Sequence, residues 1–173
     1  MVPPYIGPPR PPRNQSQSPD HWSPPPQWIF NLNFDGAAKG NPGPAGIGVA
    51  IRNSEGIILG VFWGAIRETA NNMAEIKALM TGLDMVRTSG WQPTIVEGDS
   101  LIIIQMANKI LNGKHVHKVA DNWRLIHSLE NLWNKLYNHL DVKLLHVRRK
   151  ANALADLLAN HGVEKGQEIE RTT

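Results

Sequence analysis

An α/β domain built on one five-stranded mixed sheet, with elements in the order βββαβααβα and helices on both faces, is predicted from three observations. Strand-period segments fill residues 29–65, the apolar period turns helical from Asn72, and short strands then alternate with helical stretches to His161. In order, Ile29-Phe-Asn-Leu-Asn-Phe34 alternates as a strand. Gly46–Arg52 and Ile57–Ala65 follow, joined at Asn53-Ser-Glu-Gly56, a hairpin signal. Met73, Ile76, Met80, Leu83 and Val86 mark the first helix, which stops at Ser89-Gly90. Pro93–Glu97 reads as a strand and Ser100–Leu111 as a helix. Asp121–Leu140 reads as a long helix whose apolar positions are Trp123, Ile126, Leu129, Trp133 and Leu136. Val142–Val147 is the last strand and Ala151–His161 the closing helix. The later strands are expected to run parallel to the first.

Composition sets the outer limits. Of 13 prolines, 10 fall within residues 1–26, in a segment with few aliphatic residues, so 1–27 is expected to be a disordered Pro-rich linker. A single domain is expected over 28–163, and 164–173 is expected to be a flexible tail. At 41% hydrophobic and 19% charged residues the chain reads as soluble, with no run of the roughly 18 apolar residues that a membrane span needs. No charged start leads into an apolar run, so no secretory signal is expected and the compartment is not legible. Cysteine is absent, which excludes disulfides, thiolate zinc sites and cysteine nucleophiles. Any bound metal must be held by oxygen or imidazole.

Four acids stand where elements begin or end: Asp35 at the end of the first strand, Glu75 in the first turn of the first helix, Asp99 after the fourth strand, and Asp156 on the closing helix. Each has a structural alternative. Asp35-Gly36 suits a turn, Asn72-x-x-Glu75 suits a capping box, Asp99 suits an N-cap, and Asp156 suits a solvated helix face. Brought together they would form a cluster of oxygen ligands fit for Mg²⁺ or Mn²⁺. Two unit charges about 4 Å apart repel by roughly 1 kcal/mol in water and roughly 4 at an effective dielectric of 20, so such a cluster calls for a cation. Paired ions can activate an attacking water and stabilise the leaving oxygen of a phosphodiester displacement, which points to a nuclease. The charge balance agrees. Residues 28–163 carry 14 Lys+Arg against 11 Asp+Glu, so with the four acids set aside the remainder is distinctly basic.

The motifs that carry these acids resemble ribonuclease H type 1, in its retroelement-derived, reverse-transcriptase-associated branch. They are Asp35-Gly with Gly40-Asn-Pro-Gly-Pro-Ala-Gly-Ile-Gly48, Asn71-Asn-Met-Ala-Glu75, Gly98-Asp-Ser100, and Val147-Arg-Arg-Lys-Ala-Asn-Ala-Leu-Ala-Asp156. The resemblance covers roughly residues 28–162 and implies a ribonuclease H-like fold. It implies endonucleolytic cleavage of the RNA strand of an RNA–DNA hybrid, with two Mg²⁺ ions (Mn²⁺ also suited) held by Asp35, Glu75, Asp99 and Asp156. Asn41, Asn71 and Asn72 match family positions that touch the hybrid, although turn and capping chemistry accounts for them equally. The segment Trp22-Ser-Pro-Pro-Pro-Gln-Trp28 resembles the linker that precedes such domains after a reverse transcriptase, implying a place in a longer polyprotein. The expected working unit is a monomer with nucleic acid, and no membrane, as its partner.

The match has departures. Cellular members carry a loop histidine ten residues before the last aspartate. His146 has that spacing, but aligning Val147 and Asn152-x-x-x-Asp156 makes the loop about three residues shorter and leaves His146 inside the last strand. Arg149 is then the better candidate, as in the branch with a Val-Pro-Arg loop, although Arg148 stands where proline is usual. Leu101 replaces a common glutamine, and Ala70 stands where threonine often serves a phosphate pocket, with Thr69 beside it. Asn112-Gly-Lys-His-Val-His-Lys118 is too short for the extra basic helix of some members, leaving Lys114, His115, His117 and Lys118 as a small phosphate contact or a solvated loop. The competing readings are a catalytically weak nucleic-acid-binding module from a decayed retroelement and a proofreading-type exonuclease. Against the latter, Ala37 stands where a second first-strand acid would be needed.

Overall fold

The computed structural model describes residues 20–120, 122–137 and 140–172, with side chains through residue 166. The elements are β1 (Phe30–Ala38), β2 (Gly43–Arg52), β3 (Ile58–Thr69), α1 (Asn71–Ser89), β4 (Thr94–Gly98), α2 (Leu101–Leu111), α3 (Trp123–Tyr137), β5 (Val142–His146) and α4 (Ala153–Thr172). Short 3₁₀ turns lie at Val116–Lys118 and Arg149–Asn152. The sheet order is β3-β2-β1-β4-β5, with β1–β2 and β2–β3 antiparallel and β1–β4 and β4–β5 parallel. This is the expected mixed sheet. Parallel pairing needs crossovers, and α1 and the α2–α3 pair supply them.

Helices cover both faces. On one, Leu32 and Phe34 of β1 and Ile47, Val49 and Ile51 of β2 join Ile76, Leu79, Leu83 and Val86 of α1, with Leu129 and Leu132 of α3 behind. The helix ends at Gly90, whose φ of 69° is left-handed and whose amide returns to the Arg87 and Val86 carbonyls. On the other face α4 lies on β1, β2 and β3. A Cβ on Gly48 would stand 2.3 Å from the Ala155 carbonyl oxygen, and one on Gly162 would stand 2.5 Å from that of Gly64. Helix and sheet therefore meet backbone to backbone, which only glycine allows.

Four expectations are corrected. The closing helix does not stop at His161; it continues to Thr172, so 164–172 is helical rather than a loose tail. Gly162 and Gly166, which resemble helix breakers, are contact residues against Gly64 and Ala65 of β3. Trp123 and Trp133 are exposed on α3, whose buried residues are Leu129, Leu132 and Leu136. The loop after α2 is partly ordered by Val116, the first residue of its 3₁₀ turn, which enters the core.

Finally, residues 20–27, assigned by composition to the linker, lie on the domain; residues 1–19 fall outside the described residues. Trp22 donates its indole N–H to Asn31 Oδ1 at 2.7 Å, and the Arg52 guanidinium stacks 3.9 Å from its ring. Asp20 pairs with Arg148 at 2.6 Å, and Pro25 is buried. An aromatic ring with a satisfied N–H supplies the apolar area that proline-rich composition hides. Among the described residues no helix is long and apolar enough to cross a membrane.

Candidate active site

Asp35 sits inside β1, not at its end, because pairing with β2 continues through Ala38 opposite Ala45. Glu75 lies beyond the first turn of α1, and the expected capping box does not form. The helix starts one residue earlier than expected, after Ala70, and Glu75 Oε2 accepts from the Gly36 amide at 3.2 Å. The cause is close approach. A Cβ on Gly36 would stand 2.2 Å from the Glu75 backbone nitrogen, so its absence lets α1 press against β1 and brings Glu75 beside Asp35.

Asp99 follows β4, next to β1 in the sheet, and it is Ser100 that occupies the N-cap position of α2. No side chain forms a cap bond there, so the capping role expected as an alternative for Asp99 is not filled. One carboxylate oxygen from each of Asp35, Glu75 and Asp99 lies within 4.8 Å of the other two. Asp156, in the first turn of α4, is near enough to Asp35 to raise its pKa and pairs with Arg149 at 2.9 Å. The four predicted acids thus share one site, three as a tight cluster and the fourth at its margin.

Burial makes this cluster electrostatically costly. Asp35 is 5% exposed and Glu75 4% exposed. Loss of hydration, followed by repulsion from Asp99 and Asp156, pushes Asp35 up to about 8. Burial and then Asp35 and Asp99 push Glu75 up to about 9, against the Gly36 hydrogen bond. Both acids hold protons in the folded protein that an unfolded chain would release near pH 4. Their contribution is therefore fully present below about pH 4 and is lost as pH rises to 8 and 9. Metal-free protein is expected to lose stability across that window, and saturating Mg²⁺ to flatten the loss. Melting temperature against pH, with Mg²⁺ and with chelator, checks this.

The other predicted residues fall into place around the acids. Asn41, Asn71 and Asn72 line a groove of about 810 Å³ between the β1–β2 turn and the starts of α1 and α3, together with Thr69, Trp123 and Arg124. Asn41 Oδ1 accepts from the Asn71 amide at 3.2 Å, so this amide does structural work in the free protein. His146 ends β5 and its Nε2 lies 3.1 Å from the Asp99 carbonyl oxygen, in the strand as predicted. Arg149 is largely exposed, and its pairing with Asp156 raises its pKa. His117 Nε2 lies 3.7 Å from Glu130 Oε1.

Sequence reasoning missed Asn33, Glu97 and Asn152. Asn33 Nδ2 donates to Glu97 Oε2 at 3.0 Å and to Asn152 Oδ1 at 3.2 Å, and Asn152 Nδ2 donates to the Phe34 carbonyl at 2.9 Å. A signal existed. Asn31-Leu-Asn33 puts amides at alternate positions of a strand whose other positions are apolar, which means a buried polar face.

A family model described as "Reverse transcriptase-like" matches residues 33–162. Ribonuclease HI of Halobacterium salinarum is 33% identical over 131 residues, 76% of this chain, and the chain spans 62% of that relative's length. Ribonuclease H of Dechloromonas aromatica is 31% identical, with 76% of this chain and 90% of the relative covered. LC11-RNase H1, isolated from compost and solved in complex with an RNA/DNA hybrid, superposes with a TM-score of 0.69 at 29% identity, covering 80% of this chain and 99% of that one. Four acids in one site, on this sheet order and with these relatives, place the chain in the ribonuclease H type 1 family.

Proposed function

We infer that the protein hydrolyses the RNA strand of RNA–DNA hybrids endonucleolytically, with Mg²⁺ held by Asp35, Glu75, Asp99 and Asp156. The convergence of Asp35, Glu75 and Asp99 within 4.8 Å carries this reading. The donor set fits a hard divalent cation: it is all carboxylate oxygen, and two of its members are buried where only protons or cations can balance them. Two such ions, when bound, activate water and compensate charge on the phosphate. The chain's own residues bind and orient the substrate. Asn41, Asn71 and Asn72 offer amides along a groove that adjoins Glu75 through α1, suited to 2′-hydroxyl and phosphate oxygens. Arg149 holds Asp156 in the free protein and faces solvent, where a phosphate can reach it. One chain supplies all four acids, so a monomer suffices.

The likeness to the reverse transcriptase-like family model supports a retroelement origin and a place within a longer polyprotein. Leu101, Ala70 and Arg148, which depart from the commoner residues at their positions, favour a second reading as a weakly active binding module. One assay separates the two. Labelled RNA–DNA hybrid, duplex RNA and duplex DNA are incubated with the protein in Mg²⁺, in Mn²⁺ and in chelator. Internal cuts in the RNA strand of the hybrid alone, abolished by chelator, are expected. Hybrid binding without cleavage would establish the second reading.

A further inference from the structure

The face of β1 turned away from α1 is polar and closed to solvent: Asn31 is 1% exposed, Asn33 0% and Asp35 5%. A series of polar contacts runs along it, most of them hydrogen bonds. Trp22 donates to Asn31 at 2.7 Å, and Asn31 stands near enough to the Glu97 carboxylate to favour its charged form. Glu97 accepts from Asn33, which donates also to Asn152, and Asn152 donates to the carbonyl of Phe34. The series begins on the docked N-terminal arm and ends on the peptide that leads into Asp35.

Its inner members stand a fixed short step from the acids. Asn33 precedes Asp35 by two residues on the same face of β1, Glu97 of β4 precedes Asp99 by two, and Asn152 precedes Asp156 by about one turn. Three elements that each carry an acid are thus tied by directional bonds. Apolar packing would let a strand and a helix slide by fractions of an ångström, whereas a buried amide holds its partners near 3 Å or leaves an unsatisfied group.

We propose that this series sets the spacing of Asp35, Asp99 and Asp156, with Trp22 as its outer anchor, so that docking of the arm tunes the affinity of the site for a divalent cation. The inference rests on the metal reading above. Asn33, Glu97 and Asn152 are positioning residues that act through the backbone carrying the acids, and the arm, compositionally a linker, is part of the site's scaffold.

The test uses the full chain and Mg²⁺. Trp22→Phe keeps a ring beside Arg52 but deletes the N–H donor, Asn152→Ala cuts the inner end, and Ile110→Val, in the core, controls for general loss of stability. Calorimetric titration with Mg²⁺ and the Mg²⁺-dependent rise in melting temperature are measured, with hybrid binding in chelator. Residues that orient metal ligands typically contribute about 10- to 100-fold in metal affinity, and Asn152→Ala is expected in that range. Trp22→Phe is expected to weaken Mg²⁺ by a smaller but measurable factor, while Ile110→Val and all chelator-phase hybrid affinities match wild type. Wild-type Mg²⁺ affinity in Trp22→Phe would overturn the arm's role, whether or not Asn152→Ala folds. Lowered melting temperatures with wild-type Mg²⁺ affinity in both variants would reduce the series to ordinary packing. A wild-type protein that takes up no Mg²⁺ and cuts no hybrid would instead overturn the metal reading, and this inference with it.

Discussion

Asp99→Asn is expected to lower hybrid cleavage by more than about a hundredfold, beyond the 10- to 100-fold typical of residues that merely support a metal ligand, while the metal-free protein melts no lower than wild type. The two halves have separate causes. Asparagine keeps the shape of the side chain but withdraws one negative charge from a cluster whose oxygens lie within 4.8 Å of each other, relieving repulsion on Asp35 and Glu75. No capping bond is lost, because Ser100 and not Asp99 occupies the N-cap position of α2. The stabilisation expected of Mg²⁺ in wild type should shrink in the variant. Rates from single-turnover cleavage and melting curves with and without Mg²⁺ check both halves, and full activity in Asp99→Asn would remove it from the site.

Gly36→Ala is expected to lower both stability and cleavage without altering any charge. A methyl group there meets the backbone of Ala74 and Glu75 at 2.2 Å, and neither helix nor strand can yield by rotating a side chain. Overpacking typically costs 1–3 kcal/mol, and contact with backbone puts this case at about 3 kcal/mol, or a fall of roughly 10 °C in melting temperature for a domain of this size. Relief comes only by moving α1 outward, which carries Glu75 away from Asp35, so cleavage should fall even where the variant remains folded. A Gly36→Ala protein with unchanged melting temperature would contradict the packing described between β1 and α1.

Legibility followed the range of the forces involved. Periodicity gave β1 to β5 and α1 to α4 in their correct order, since burial of alternate or fourth residues is written locally, as is the Gly90 stop. The four acids were legible from motif order. Their local alternatives were equally well written, and the tertiary approach at Gly36 is what decided against the capping box. What stayed hidden was non-local. Gly162 reads as a helix end until β3 is known to lie against it, and Trp22 reads as linker until Asn31 and Arg52 are placed beneath its ring. Asn152 sits in plain view in the last motif, but its partners are 118 and 119 residues away.

The backbone-to-backbone seating of α4 on β2 and β3 bears on how such a domain loses function over generations. Asp156 rides on a helix positioned by Gly48 and Gly162, and those positions have no chemistry to conserve and no room to vary. A single alanine at Gly48 would lift Ala155, the neighbour of Asp156, and could silence a copy whose four carboxylates all remain. Counting intact acids would then score a dead lineage as living, whereas the glycines would record the damage. This chain retains both sets.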